Sequence, residues 1–147
     1  MKIAVGCDHG AFDLKEALKK HLDKRGIAYK DFGCPDKTSC DYPDYAAAAA
    51  RAVASGECER GIVLCTTGIG VSISANKIRG TRGALLSEKM SARLTREHND
   101  SNMMALGAGV VGEMLALEIV DTWLDTPFSG VERHQRRIDK IMALENE

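Results

Sequence analysis

Ile62-Val-Leu64 is an apolar run without polar alternation, and a threonine- and glycine-rich turn, Cys65-Thr-Thr-Gly-Ile-Gly70, follows it at once. A run of this kind fills a strand buried on both faces, which calls for a parallel sheet covered on both sides. Val71-Ser-Ile-Ser-Ala-Asn-Lys77 then reads as the start of a helix. Cys65 is thereby placed at the carboxyl end of a central strand. The backbone N–H groups after it point into the same space, and a helix N-terminus adds partial positive charge there. Such a setting favours the thiolate of a nearby cysteine. It suits a reaction that builds negative charge on a substrate oxygen.

The same strand-then-helix unit recurs along the chain. Lys2–Gly6 reads as a strand. Leu14, Ala17, Leu18 and Leu22 recur at helical spacing, with Gly26 placed to end that helix. Ile27–Phe32 is a second strand, and Gly33–Pro43 a polar loop. Tyr45–Ser55, with alanine from Ala46 to Ala50, has high helix propensity. After the strand at Gly61–Cys65 and its helix, Arg82–Leu86 is a fourth strand. Ser87–Glu97 is a helix with Ser87 as N-cap, followed by a loop through Asn102. Met103–Leu106 is a fifth strand. Gly112–Leu124 is apolar around much of its circumference and is expected to be largely buried. Val131–Leu144 makes a terminal helix.

This alternation predicts an α/β fold, a parallel sheet with helices on both faces. Ligands of such sheets bind beyond the carboxyl ends of the strands. Cys7, Asp8 and His9 lie there after the first strand, and Cys65 to Gly70 after the third. His98 stands before the fifth strand, so it approaches the sheet from the opposite end. If His98 joins the chemistry of Cys65, it does so more easily on a neighbouring subunit.

Composition bounds the function. Lys plus Arg is 20 against Asp plus Glu 21, so the formal net charge of −1 lacks the basic excess of a nucleic-acid binder. No apolar stretch is long enough to span a membrane and the N-terminus has no signal-peptide layout, so no membrane partner and a cytoplasmic location are expected. The five cysteines are an odd number without a Cys-x-x-Cys pair, which suggests neither a disulfide framework nor a zinc site. Cys7, Cys34, Cys40 and Cys58 read as structural, and His21, on a lysine-rich helix, as a surface residue. A chain of 147 residues is expected to form a single domain, 1–147.

Several glycine-rich turns can be set aside. Gly68-Ile-Gly70 lacks the third glycine of the dinucleotide fingerprint, and no Walker A sequence is present. A cysteine phosphatase wants an arginine six residues after its nucleophile, where this chain has Val71. A receiver domain wants an aspartate where Cys65 stands. Taken singly, each candidate also has a plainer reading. Cys65 reads as a small hydrophobe closing a strand, Asp8-His9 as a helix cap, and His98 as a turn residue. Arg133 and Arg137, four apart beside His134, read as a solvated basic face.

Together the residues resemble one family. Gly6-Cys-Asp-His-Gly10, Asp41-Tyr-Pro43, Cys65-Thr-Thr-Gly-Ile-Gly70, Ala75-Asn-Lys77, Arg96-Glu-His-Asn-Asp100 and Arg133-His-Gln-Arg-Arg137 fall in the order and spacing of type B ribose-5-phosphate isomerase. The galactose 6-phosphate and allose 6-phosphate isomerases belong to the same group. The resemblance implies a Rossmann-like α/β/α sandwich around a five-stranded parallel sheet. It implies a homodimer, often paired into a tetramer, with active sites at the dimer interface and a sugar phosphate as substrate. It further implies Cys65 as the base between carbons 1 and 2, and His98 of the partner subunit, helped by Thr67, as the ring-opening group. The amides of Gly68, Ile69, Gly70 and Val71 match the anion hole for a cis-enediolate. Asp8, Tyr42 and Asn99 match sugar-hydroxyl ligands, and His9, Arg133 and Arg137 the phosphate set. No metal or organic cofactor is expected.

Two positions depart from the family pattern. Thr66 stands where glycine is usual, and Gly109 where many members carry an arginine that reaches the phosphate. Ribose 5-phosphate is the substrate to which the retained residues point. Allose 6-phosphate, an unphosphorylated sugar such as allose or psicose, and non-catalytic sugar-phosphate binding stand as alternatives. The retained Cys65 and His98 speak against the last, because binding alone needs neither.

Overall fold

The computed structural model describes residues Met1–Glu147. The elements run β1 (Lys2–Cys7), a 3₁₀ turn at His9–Ala11, α1 (Phe12–Lys24), β2 (Ala28–Asp31), α2 (Tyr42–Ala54) and β3 (Arg60–Cys65). They continue with α3 (Ile69–Asn76), β4 (Gly83–Leu85), α4 (Lys89–Asn99), β5 (Met103–Gly107), α5 (Glu113–Asp125) and α6 (Glu132–Ala143). All strand pairings are parallel and the order is β2-β1-β3-β5-β4. This is the expected five-stranded α/β architecture. No helix is long and apolar enough to cross a membrane.

The pleat sorts the core into two layers. Ile3, Val5, Cys7, Ile62, Leu64, Met104 and Leu106 pack with α1 and α5, whose Leu18, Leu22, Ile119 and Trp123 are buried. Ala4, Val63, Cys65, Met103 and Ala105 face α2 and α3. The second layer is thin because its residues are small. The alanines of α2 and Gly6 let helix and sheet approach so closely that a Cβ at Gly6 would lie 2.9 Å from the Tyr45 carbonyl oxygen.

Several expectations need correction. Helix α2 begins at Tyr42, not Tyr45, with Asp41 at the N-cap position and Pro43 in the first turn, where its missing N–H costs nothing. The N-cap of α4 is Glu88, not Ser87; its carboxylate accepts from the Met90 and Ser91 amides at 2.6 and 2.7 Å. His98 and Asn99 form the last turn of α4 rather than a loop, and Asp100 ends the helix with a left-handed φ of 43°. Helix α5 is buried along one face only; Met114 is 79% exposed and Leu115 39%. His21 is half-buried and bonds Asp121 at 2.7 Å, tying α1 to α5.

Candidate active site

Cys65 closes β3 and is 5% exposed, at the wall of a cavity of about 410 Å³ lined by Asp8, Tyr42, Thr66, Thr67, Ile69, Gly70 and Ile73. The turn after it is shaped around the sulfur. Gly68 takes a φ of 77°, which only glycine adopts at no cost, and this aims its N–H at Cys65 Sγ, 3.1 Å away. The next amide, Ile69, donates to Thr67 Oγ1 at 3.2 Å. The first α3 amide to reach a backbone carbonyl is Ser72, which donates to Gly68. The N–H groups of Gly70 and Val71 at the helix start have no intrachain acceptor, and Gly70 lines the cavity. Of the four amides expected to form an anion hole, two already have acceptors and two are open.

The neighbouring side chains are held by the backbone. Asp8, 7% exposed, accepts from the Gly10 amide at 3.0 Å. The Cys40 amide donates to Nδ1 of His9 at 3.2 Å, so a neutral His9 carries its proton on Nε2, where it can be donated to an anion. Tyr42 lies over Gly70, whose Cβ, if present, would stand 2.6 Å from the ring.

Thr66 and Gly109, the two departures from the family pattern, touch. A Cβ at Gly109 would lie 3.1 Å from the Thr66 carbonyl oxygen and 3.2 Å from its methyl group, and the Gly109 amide donates to that same oxygen at 2.8 Å. On its other side Thr66 crowds Gly10, where an added Cβ would meet Thr66 Oγ1 at 2.3 Å. A larger residue at Gly109 therefore has to displace Thr66. Nothing in either local sequence announces this fit.

The remaining predicted residues gather elsewhere. Cys65 pairs with Gly107, at the carboxyl end of β5, whereas His98 and Asn99 lie before Met103 at its amino end. Arg133 and Arg137 are exposed on α6. That helix packs on α4 through stacked His98 and His134 rings. Arg96, named only within a motif, proves to anchor this region. It is 4% exposed, bonds the Ser101 carbonyl at 2.6 Å and pairs with Asp100 at 2.7 Å. One chain thus brings together Asp8, Tyr42, Cys65, Thr67 and the start of α3 around one cavity, with His9 next to Asp8 but held against Cys40. It brings His98, Asn99, Arg133 and Arg137 together at the other end of the sheet. No group of three or more His, Cys, Asp or Glu is placed to hold a metal ion.

The sequence model of the Ribose/Galactose Isomerase family matches residues 3–141. This chain belongs to that family. Ribose-5-phosphate isomerase B of Escherichia coli is 49% identical over 144 residues, 98% of this chain and 96% of that protein. The solved structure of Clostridium thermocellum ribose-5-phosphate isomerase B superposes with a TM-score of 0.97 at 51% identity, covering 99% of this chain and 98% of that one. The Mycoplasma genitalium ribose-5-phosphate isomerase B, solved with bound ribulose-5-phosphate, gives 0.94 at 36% identity over 99% and 97%.

Proposed function

We propose that this chain is an aldose–ketose isomerase that interconverts ribose 5-phosphate and ribulose 5-phosphate, as a cytoplasmic homodimer with shared active sites. The observation that carries this reading is the Gly68 N–H directed at Cys65 Sγ beside the open Gly70 and Val71 amides. A thiolate held by one amide can take the proton from C2 of the open-chain aldose and return it at C1. The oxygen that becomes anionic in the enediolate meets the open Gly70 and Val71 amides, which are in place before the charge forms. Proton transfer within one substrate calls for no external oxidant or reductant.

The furanose must open first: the C1–ring oxygen bond breaks, the ring oxygen gains a proton and the anomeric hydroxyl gives one up. A histidine does both near neutral pH. His98 stands at the wrong end of its own sheet for this, so the second copy's His98 serves Cys65 here, with the second copy's Asn99 on a sugar hydroxyl. His9 and the second copy's Arg133 and Arg137 take the phosphate through charge-assisted hydrogen bonds. Apolar exposure supports the pairing: Tyr42, Ile69 and Ile73 at the cavity rim are 40%, 52% and 58% exposed. A second reading, an isomerase of allose 6-phosphate or of a free sugar, is favoured by Gly109 alone, which offers no side chain to a phosphate.

Two experiments test the proposal. A panel of pentoses and hexoses with and without phosphate should show ribose 5-phosphate with the highest kcat/KM; a free sugar in first place would install the second reading. Mixing inactive Cys65→Ala and His98→Ala proteins should restore roughly a quarter of wild-type activity. About half of random dimers are then mixed, each with one intact site. No recovery after verified subunit exchange would place the whole site in one chain.

A further inference from the structure

His134 is the buried titratable side chain of α6, 5% exposed, and the chemistry above makes no use of it. Its ring lies flat on that of His98, with centroids 4.3 Å apart and planes 4° from parallel. The stack joins the last turn of α4, which carries His98 and Asn99, to the start of α6, whose first two turns carry Arg133 and Arg137. Of the histidine rings in the chain, those of His9 and His21 are the ones with hydrogen-bond partners. His98 therefore has no hydrogen bond to set the rotation of its ring, a torsion that is broad for imidazole. The face of His134 is what it rests against. That face is itself held, because Ile138 is buried one turn further along the same side of α6.

Burial and the charges around the pair favour the neutral form of the His134 ring. Burial pushes it below the ordinary histidine range, and His98, Arg133 and Arg137 push the same way. Glu97, from α4, opposes them without reversing the shift. A neutral ring offers its π face to either form of His98, whereas a second imidazolium would repel the protonated form.

We infer that His134 is a positioning residue, holding the His98 imidazole by stacking so that it enters the neighbouring copy's site in one orientation. This rests on the reading in which His98 opens the sugar ring, and the test separates the two. His134→Ala should lower kcat about tenfold to a hundredfold, the range expected of a misplaced catalytic group, with KM within about threefold. His134→Phe, which keeps a flat face, should recover to within about threefold of wild type. In a His98→Ala background, His134→Ala should cost nothing more, since the two act as one unit. Exchange of the ketose C1 proton with solvent deuterium needs no ring chemistry and should persist in His134→Ala. A wild-type His134→Ala, a His134→Phe as poor as the alanine variant, or a fully additive loss would each overturn the inference. The double-mutant comparison stays decisive if one single variant packs badly. A fully active His98→Ala would remove the underlying reading, and the inference with it.

Discussion

Cys7 and Cys65 close neighbouring central strands at the same end of the sheet, yet they meet different surroundings. Cys7 is in register with Leu64, so Cys65 lies one residue further along and points to the opposite face. That single step decides much, because side chains alternate with a period of two. Cys7 faces the α1 and α5 layer, fully buried, with its sulfur 3.6 Å from that of Cys34. Cys65 faces the α2 and α3 layer, where β3 gives way to a turn that donates an N–H to sulfur and opens a cavity. A thiol at the carboxyl end of a strand is therefore not enough for chemistry. What matters is which face it takes and what the next three residues do with their amides.

The largest test of this contrast replaces each thiol. Cys65→Ala should lower kcat by about 10²–10⁴-fold, the usual loss on removing a positioned base. Cys7→Ala should leave kcat within about twofold and cost about 1 kcal/mol of stability, comparable to one buried methylene. Steady-state kinetics of aldose–ketose conversion and urea midpoints read both. In the same comparison, iodoacetamide should alkylate Cys65 well before Cys7. Equal kinetic losses would erase the distinction between the two cysteines.

Sequence pattern carried the sheet, because Ile62-Val-Leu64 and the helical spacing of Leu14, Leu18 and Leu22 obey strong local periodicities that the core simply fills. The Cys65 turn was legible for a similar reason: glycine at 68 and a β-to-α transition leave few backbone paths. Contacts between distant residues were not legible. Cys7 meets Cys34 across 27 positions, and Thr66 meets Gly10 and Gly109 from different loops. His134 read as part of a basic face because a helical wheel of α6 alone cannot show α4 beside it. Ser87 read as an N-cap on intrinsic preference, while the longer Glu88 side chain reaches two amides at once. Helix α5 reads as buried because its apolar composition does not show that Met114 and Leu115 are turned to the surface.

A second, smaller test moves the backbone beside each sulfur. At Gly68 a Cβ would meet Leu85 Cδ1 at 2.7 Å, the Leu106 carbonyl carbon at 2.8 Å and the Gly107 nitrogen at 2.9 Å, at a φ of 77°. Gly68→Ala should cost about 1–2 kcal/mol for the left-handed backbone alone. It should also lower kcat by about 10²-fold as the amide leaves its place, close to the loss of one oxyanion donor. At Gly33 a Cβ would crowd the Cys7 nitrogen at 2.8 Å and its sulfur at 3.1 Å. Gly33→Ala should destabilise by about 1–3 kcal/mol through overpacking while kcat per folded enzyme stays unchanged. A kinetic defect in the Gly33 variant would show that strain beside Cys7 reaches the site, and the two cysteines would no longer be independent.

The smallest effect belongs to pH, and it probes Cys7 without changing the active site. Burial, with the Cys34 thiol beside it, pushes Cys7 well above the ordinary thiol range, and Lys15 offsets only part of this. Burial raises Cys34 and Cys58 in the same direction. In the unfolded chain Cys7 loses its proton near about pH 8.5, whereas the folded protein keeps it. Above that pH the folded state binds more protons, so stability falls as pH rises. The contribution is fully present below the unfolded value and declines by at most about 1.4 kcal/mol per pH unit for one thiol. Urea unfolding between about pH 8 and pH 10 should therefore show wild type losing stability faster than Cys7→Ala, with Cys34 and Cys58, and toward pH 10 also Lys19, Tyr29 and Tyr45, contributing to the slope that remains. Identical slopes would mean that the folded protein lets the Cys7 thiol ionise, and that burial on the α1 face does not separate it from Cys65 as the packing implies.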